Sequence, residues 1–223
     1  MDRLHRIRLL LGDAAIEKLQ NKTVMVVGCG AVGSMTIEAL ARSGIGYLIL
    51  VDFDKVEETN INRQLFALAT TLGHSKVDVA SARLRDISPD IRVTTFNMFW
   101  DENSNPDINP DFVVDAIDSV PSKIALYRWC AGRGVPFIAS MGAAQKTDIS
   151  QIRIAPISKT SVCPLAARVR KLVRAENLPD FPAVYSTQNP IKNDTGVLGS
   201  MITVTGCFGL NLANYVIQKL ISA

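Results

Sequence analysis

A β-branched run at residues 23–27 ends directly in Gly28-Cys29-Gly30-Ala31-Val32-Gly33, and this junction restricts the fold more than any other stretch of the chain. Glycines at that spacing permit a tight turn, a close approach of backbone to phosphate, and close packing of a helix on a strand. A helix that opens at such a turn offers free N–H groups and the positive end of its dipole to an anion. Asp52 closes the next apolar run, where a carboxylate can bind ribose hydroxyls. Taken alone, the turn separates a nicotinamide dinucleotide from other adenine nucleotides poorly, and a purely structural turn has the same spelling.

The rest of the chain extends the pattern. Helical periodicity over 9–20 precedes the first strand, and further strands are expected at 47–51, 92–96, 112–117 and 135–140. Helices are expected after Gly33 to about Gly44, and at 76–87 and 123–133. This alternation predicts an α/β fold: a Rossmann-like, doubly wound, mainly parallel sheet whose ligand site lies at the carboxyl ends of the strands. The polar, proline-containing stretch 97–110 reads as a surface loop. Beyond residue 148, Gln151-Ile152-Arg153-Ile154 alternates like an antiparallel strand, a basic helix follows, and 177–194 is rich in proline and polar residues. With 223 residues, 48% of them apolar, the chain can bury a full core as one domain. The expected division is a nucleotide-binding half, 1–147, and a substrate-facing, dimer-forming half, 148–223.

Two cations after the acidic strand bear on the nucleotide. ATP carries charge beyond a dinucleotide's pyrophosphate, and a site must offset it with guanidinium, ammonium and magnesium groups. Arg63 and Lys76 supply fixed positive charge there, with Asn60 and Gln64 beside Arg63. The plainer alternatives are a surface ion pair for Arg63 and a solvated helix start for Lys76. Asp118, just past the fourth strand, is the candidate magnesium ligand, since Mg2+ takes one or two carboxylates along with phosphate oxygens and water. Asp54 is a second polar contact or a turn cap, and Asp115 reads as structural or as a helper.

Composition excludes little else. A net charge of +3 is too mild to mark a nucleic-acid binder by bulk charge. The four cysteines, 29, 130, 163 and 207, form no Cys-x-x-Cys pair, so no zinc site is expected. Without a secretory signal the expected location is cytoplasmic. Residues 196–217 are apolar enough to raise a membrane span. Their glycines, Thr203, Thr205, Asn211 and Asn214 favour a buried core helix or dimer interface instead. Cys163, before a proline-led helix start, is the one cysteine placed for reactivity, with a structural role preferred. On the helix that follows, Leu165, Val169, Leu172 and Val173 share one face, and Arg168, Arg170, Lys171 and Arg174 the other. That basic face either binds phosphates or is merely solvated.

Together, the glycine turn, Asp52-Phe53-Asp54, Asn60-x-x-Arg63-Gln64, Lys76 and Asp118 resemble the ubiquitin-activating-enzyme-like adenylating family of the thiamine and molybdopterin pathways. Arg3-Leu4-His5-Arg6 resembles that family's Arg-x-x-Arg start, and the resemblance implies a homodimer in which Arg6 reaches the partner's ATP phosphates. It further implies ATP contacts at Gly28, Gly30, Ala31, Gly33, Asp52, Asp54, Asn60, Arg63, Gln64, Lys76 and Asp118. Arg63, Lys76, Arg6 and Asp118 would take the catalytic roles. Within the family, Asp115-Ala116-Ile117-Asp118-Ser119-Val120, Ser158-Lys159-Thr160 leading to Pro164-Leu165-Ala166-Ala167-Arg168-Val169-Arg170, and Val184-Tyr185-Ser186-Thr187 are similar to the tRNA threonylcarbamoyladenosine dehydratases. Cys163 departs from that pattern, where an aspartate is expected, and 177–194 is compressed.

The implied activity is ATP-dependent dehydration, a cyclisation, of threonylcarbamoyladenosine in tRNA, a ligase-type reaction with ATP and Mg2+. The tRNA, and not DNA, would meet Lys159, Arg168, Arg170, Lys171 and Arg174. The alternative is an adenylyltransferase for the C-terminus of a ubiquitin-like sulfur carrier, with a sulfur-relay or ubiquitin-like protein as partner. A nicotinamide oxidoreductase or an inactive nucleotide-binding partner protein stands third.

Overall fold

The computed structural model describes residues 2–222. Its centre is a seven-stranded sheet: β1 (Thr23–Val27), β2 (Tyr47–Val51), β3 (Arg92–Phe96), β4 (Phe112–Asp115), β5 (Phe137–Ser140), β6 (Ile152–Pro156) and β7 (Pro182–Ser186), in spatial order β3-β2-β1-β4-β5-β7-β6. Every neighbouring pair is parallel except β6 with β7. The doubly wound sheet with an antiparallel edge is therefore the fold expected.

Helices α1 (His5–Leu11), α2 (Asp13–Gln20), α3 (Ala31–Arg42), α4 (Lys76–Ile87), α5 (Val120–Arg133), α6 (Pro164–Ala175) and α7 (Ile202–Ser222) join the sheet, with short 3-10 turns between elements. The inner strands alternate cleanly between two apolar layers. Val24 and Val26 of β1 join Leu48 and Leu50 of β2 in a core with α3, α4 and α7, while Met25 and Val27 join Ile49 and Val51 in a second core with α5 and α6. A strand covered on both faces needs side chains that are apolar at every position, as these β-branched runs are.

Several expectations are corrected. The 9–20 helix is two helices, because Gly12 lies between them with φ +84° and ψ 164°. The 112–117 strand stops at Asp115, where the chain turns out of the sheet, and the 135–140 strand begins at Phe137. The 177–194 stretch, read only as rich in proline and polar residues, contains β7, which is interior to the sheet. Pro182 is its first residue, a position at which the missing N–H is tolerated.

The apolar 196–217 stretch contributes to α7, whose Val204, Phe208, Leu212 and Val216 are buried. Gly209 carries the close approach to α3: a Cβ there would meet the Val32 carbonyl oxygen at 2.5 Å, and the Gly209 carbonyl accepts from Thr36 Oγ1 at 3.1 Å. Among the described residues no helix is long and apolar enough to cross a membrane.

Candidate active site

Strand order reverses beside β1: β2 and β3 lie to one side of it, β4 and β5 to the other. At that switch point the carboxyl ends of the strands open into a cleft of ≈ 930 Å³. Gly28 turns the chain out of β1 with φ +97°, and a Cβ on it would strike the Ala116 carbonyl oxygen at 2.6 Å. A Cβ on Gly33 would lie 1.8 Å from the Gly28 carbonyl oxygen, so Gly33 lets α3 pack on the turn and sits behind the cleft. Gly30, the N-cap of α3, has open space in front of it, with only Gln64 Nε2 at 3.9 Å. No side chain caps this helix start, so its N–H groups are presented to the cleft together with Ala31.

Asp52 follows β2 and closes the turn from the other side. Its Oδ2 accepts from Cys29 N at 2.6 Å and its Oδ1 from Asp54 N at 2.8 Å. Burial pushes its carboxyl above the usual range, a shift that these two N–H donors and the nearby Lys76 oppose. Burial and Asp52 likewise push the Cys29 thiol well up, which makes Cys29 an inert packing residue. Lys76 is not a solvated helix start: it is 5% exposed, and its Nζ meets Asp54 Oδ2 at 2.7 Å inside the cleft. Nor, among the described residues, is Arg63 in a surface ion pair. Its guanidinium donates to the Thr59 carbonyl at 2.7 Å and to Asn62 Oδ1 at 2.9 Å, two bonds on its own turn that leave further donors in the cleft wall. Asn60 holds that turn by accepting from Glu57 N at 3.3 Å, and Gln64 is buried beside it.

Asp118 lines the opposite wall, three residues past β4, and among the described residues no hydrogen bond or ion pair engages its carboxylate. Its loop is held from beneath by Asp115, whose Oδ1 accepts from Ile117 N at 3.0 Å. Asp115 Oδ2 in turn takes Lys123 Nζ at 2.8 Å and Tyr127 Oη at 2.5 Å, all three side chains being essentially inaccessible. Lys123 also donates to the Ser140 carbonyl at 2.7 Å, so one buried ammonium joins the ends of β4 and β5. Burial and the adjacent Asp115 push the Tyr127 phenol well up, which keeps it a donor. Lys123 and Tyr127 escaped the sequence reading. Both stand on a helix where charged and polar residues are ordinarily solvated, and the nearest signal was their spacing of one helical turn.

The basic helix divides. Arg168 enters the cleft wall with Cys163 and Pro164, whereas Lys159, Lys171 and Arg174 are exposed outside it. Arg170 does not belong to a free basic face. Its Nη1 donates to the Thr160 carbonyl at 2.9 Å and to Thr160 Oγ1 at 2.7 Å, tying α6 to the turn before it. Arg6 is exposed on α1, outside the cleft of its own chain. Lys146, in the loop after β5, lines the cleft although no motif pointed to it.

Phe53 and Phe99 meet edge to face with ring centroids 5.0 Å apart beside Asp52, an apolar wall suited to a flat base. Donors from a helix start, two cations, a free carboxylate and an aromatic wall in one cleft can bind a nucleoside polyphosphate and stabilise charge transferred among its oxygens.

A protein-family model described as the ThiF family matches residues 2–223. The tRNA threonylcarbamoyladenosine dehydratase of Bacillus subtilis (strain 168) is 45% identical over 190 residues, 83% of this chain and 75% of that protein. The dehydratase of the same name from Haemophilus influenzae is 37% identical, over 96% of this chain and 91% of its own length. The solved structure of Escherichia coli tRNA N6-threonylcarbamoyladenosine dehydratase in complex with AMP superposes with a TM-score of 0.93 at 32% identity, covering 99% of this chain and 94% of that one. Its complex with ATP gives a TM-score of 0.91.

Proposed function

The chain belongs to the ThiF family, and on that premise we propose that it catalyses the ATP-dependent dehydration of threonylcarbamoyladenosine in tRNA, a cyclisation of the ligase type. The observation that carries this reading is the convergence of the α3 start, Arg63, Lys76 and Asp118 on one cleft, in a chain so similar to dehydratases along its whole length.

The threonyl carboxylate attacks the α-phosphorus of ATP, forming an acyl adenylate and releasing pyrophosphate, and closure of the ring on the acyl carbon expels AMP. Gly28, Gly30 and Ala31 bring backbone donors to the phosphates, and Asp52 receives the ribose hydroxyls. Arg63 and Lys76 stabilise charge on the phosphates, Lys76 exchanging part of its pairing with Asp54 for phosphate. Asn60 and Gln64 keep the Arg63 turn in place, and Gly33 keeps the helix start against it. The free carboxylate of Asp118 fits magnesium carried in with ATP. When bound, the ion offsets phosphate charge and orients the triphosphate for attack. Arg6 serves the site of a second copy in a homodimer.

The tRNA approaches across α6, where Arg168 reaches into the cleft and Lys159, Lys171 and Arg174 meet phosphates outside it; Arg170 supports them by holding the helix. In this arrangement residues within 1–147 hold the nucleotide, and 148–223, together with the loop after β5, face the substrate.

The test is incubation with ATP, Mg2+ and tRNA carrying threonylcarbamoyladenosine, followed by nucleoside mass spectrometry. A product lighter by one water supports the reading. An unchanged mass, with ATP–pyrophosphate exchange driven instead by a small ubiquitin-like carrier, replaces it with the sulfur-carrier adenylyltransferase.

A further inference from the structure

Among the described residues three lysines are buried: Lys76, Lys123 and Lys146. Two are ion-paired, Lys76 with Asp54 at 2.7 Å and Lys123 with Asp115 at 2.8 Å. Lys146 is 3% exposed and lines the cleft, yet no carboxylate among the described residues lies within 4.0 Å of its Nζ. Its one partner among the described residues is neutral, the Gln188 carbonyl, to which Nζ donates. A buried ammonium with no counter-charge is costly, and such a site favours the neutral amine.

The amine is also held in place. The Gln188 side chain accepts from Thr147 N and Asp148 N, both at 3.0 Å, and Gln188 N donates to Ser186 Oγ at 3.1 Å. The loop after β5 is thus latched to the end of β7, and the amine between them has one N–H directed at a fixed carbonyl. The phosphate-binding elements follow β1, β2 and β4, so Lys146 stands on the β5–β7 side of the cleft, where the non-nucleotide substrate would lie.

We propose that Lys146 is the general base of ring closure, an inference that rests on the dehydratase reading above. In that step the carbamoyl nitrogen borne on the adenine attacks the acyl carbon of the adenylate. The new bond to that carbon forms, the bond from acyl carbon to the AMP oxygen breaks with its electron pair leaving on AMP, and the carbamoyl N–H proton passes to Lys146 Nζ and then to water. Burial holds the Lys146 ammonium below the usual lysine range, opposed by the charge that Cys163, at the N-cap of α6, carries when ionised. The remaining charged groups of the cleft are Arg168 on α6 and, on the nucleotide side, Asp118, Asp52, Arg63 and the Lys76–Asp54 pair. A base must be neutral to act, so ring closure rises with pH through the Lys146 titration and levels off above it.

Lys146→Ala, Lys146→Gln and Lys146→Arg separate the two half-reactions. Substrate-dependent ATP–pyrophosphate exchange reports activation, and the cyclised nucleoside reports closure. The expected result for Lys146→Ala is exchange within about threefold of wild type and closure slowed about 100-fold or more, with the pH-dependent rise abolished and partial rescue by added methylamine. Lys146→Gln can keep the donor to the Gln188 carbonyl, and it reports the same loss if the alanine variant is unstable. Lys146→Arg stays cationic and is expected to be as slow as Lys146→Ala. Closure by Lys146→Arg within threefold of wild type, exchange and closure falling together, or an unaltered pH profile would each overturn the inference. A wild-type protein that neither activates nor cyclises the modified tRNA overturns the dehydratase reading and this inference with it, whereas active wild type with unaffected variants overturns this inference alone.

Discussion

Gly30 and Gly33 lie three residues apart in the same turn and answer to different demands. A Cβ on Gly33 would sit 1.8 Å from a carbonyl oxygen of the turn itself, so Gly33→Ala must push α3 away from β1. Overpacking of this kind costs ~3 kcal/mol or more, and a lowered midpoint in thermal unfolding is the expected reading. A Cβ on Gly30 would meet nothing nearer than 3.9 Å, and Gly30 has φ −76°, a value any residue adopts. Gly30→Ala is therefore expected to unfold at the wild-type temperature while ATP titration shows affinity reduced about tenfold, ~1.4 kcal/mol. Equal losses of stability in the two variants would refute the division of labour. What could be read at this scale follows the same line. The glycine turn, Asp52, Arg63, Lys76 and Asp118 were legible because each stands at a strand end or helix start, where a polar side chain has few other duties. Lys146, Lys123 and Tyr127 were not, because their significance lies in burial, which the order of residues along a loop or helix does not reveal.

Among the elements, α6 most altered the sequence reading. Of its expected apolar stripe Val169 and Val173 are buried and Leu165 and Leu172 partly buried against the same core, but the opposite face is not one uniform basic surface. Arg168 turns into the cleft and Arg170 is bound to Thr160, which leaves Lys171 and Arg174, with Lys159 before the helix, as the exposed cations. Neutralising Lys171 and Arg174 is expected to weaken tRNA binding without unfolding the protein, and to reduce the slope of log affinity against log salt by about 0.7–0.9 for each phosphate that the protein no longer neutralises. Arg170→Ala is expected to act differently, lowering the unfolding temperature. Filter binding across a salt series checks the first; an unchanged slope would mean that this face is only solvated. Strand β7 escaped prediction for a related reason. Prolines at 179, 182 and 190 mark turns in a linear reading, whereas its ladder runs between β5 and β6, partners remote in sequence that supply what the local pattern lacks.

At the scale of the whole molecule, one chain supplies a sheet, a cleft and nearly all the groups that the proposed chemistry needs, and Arg6 stands apart from them. It is exposed on α1, beside Leu9 and Leu10, which are 72% and 80% exposed. Apolar side chains next to an unabsorbed cation are what a second copy of the chain would cover. If Arg6 serves the partner's cleft, its defect and a defect in Asp118 lie in different chains of a working site. Arg6→Ala and Asp118→Asn are each expected to be inactive as pure proteins. In a mixed dimer, one site combines the intact Asp118 of the first variant with the intact Arg6 of the second, and the other site lacks both. Random exchange makes half of the dimers mixed, each with one intact site of two, so mixing equal amounts is expected to restore about a quarter of the wild-type cyclisation rate. An arginine acting within its own chain leaves every site defective, and mixing then restores nothing. Size-exclusion chromatography of a tagged and an untagged variant verifies that exchange has occurred, which makes an absence of recovery decisive against a shared site.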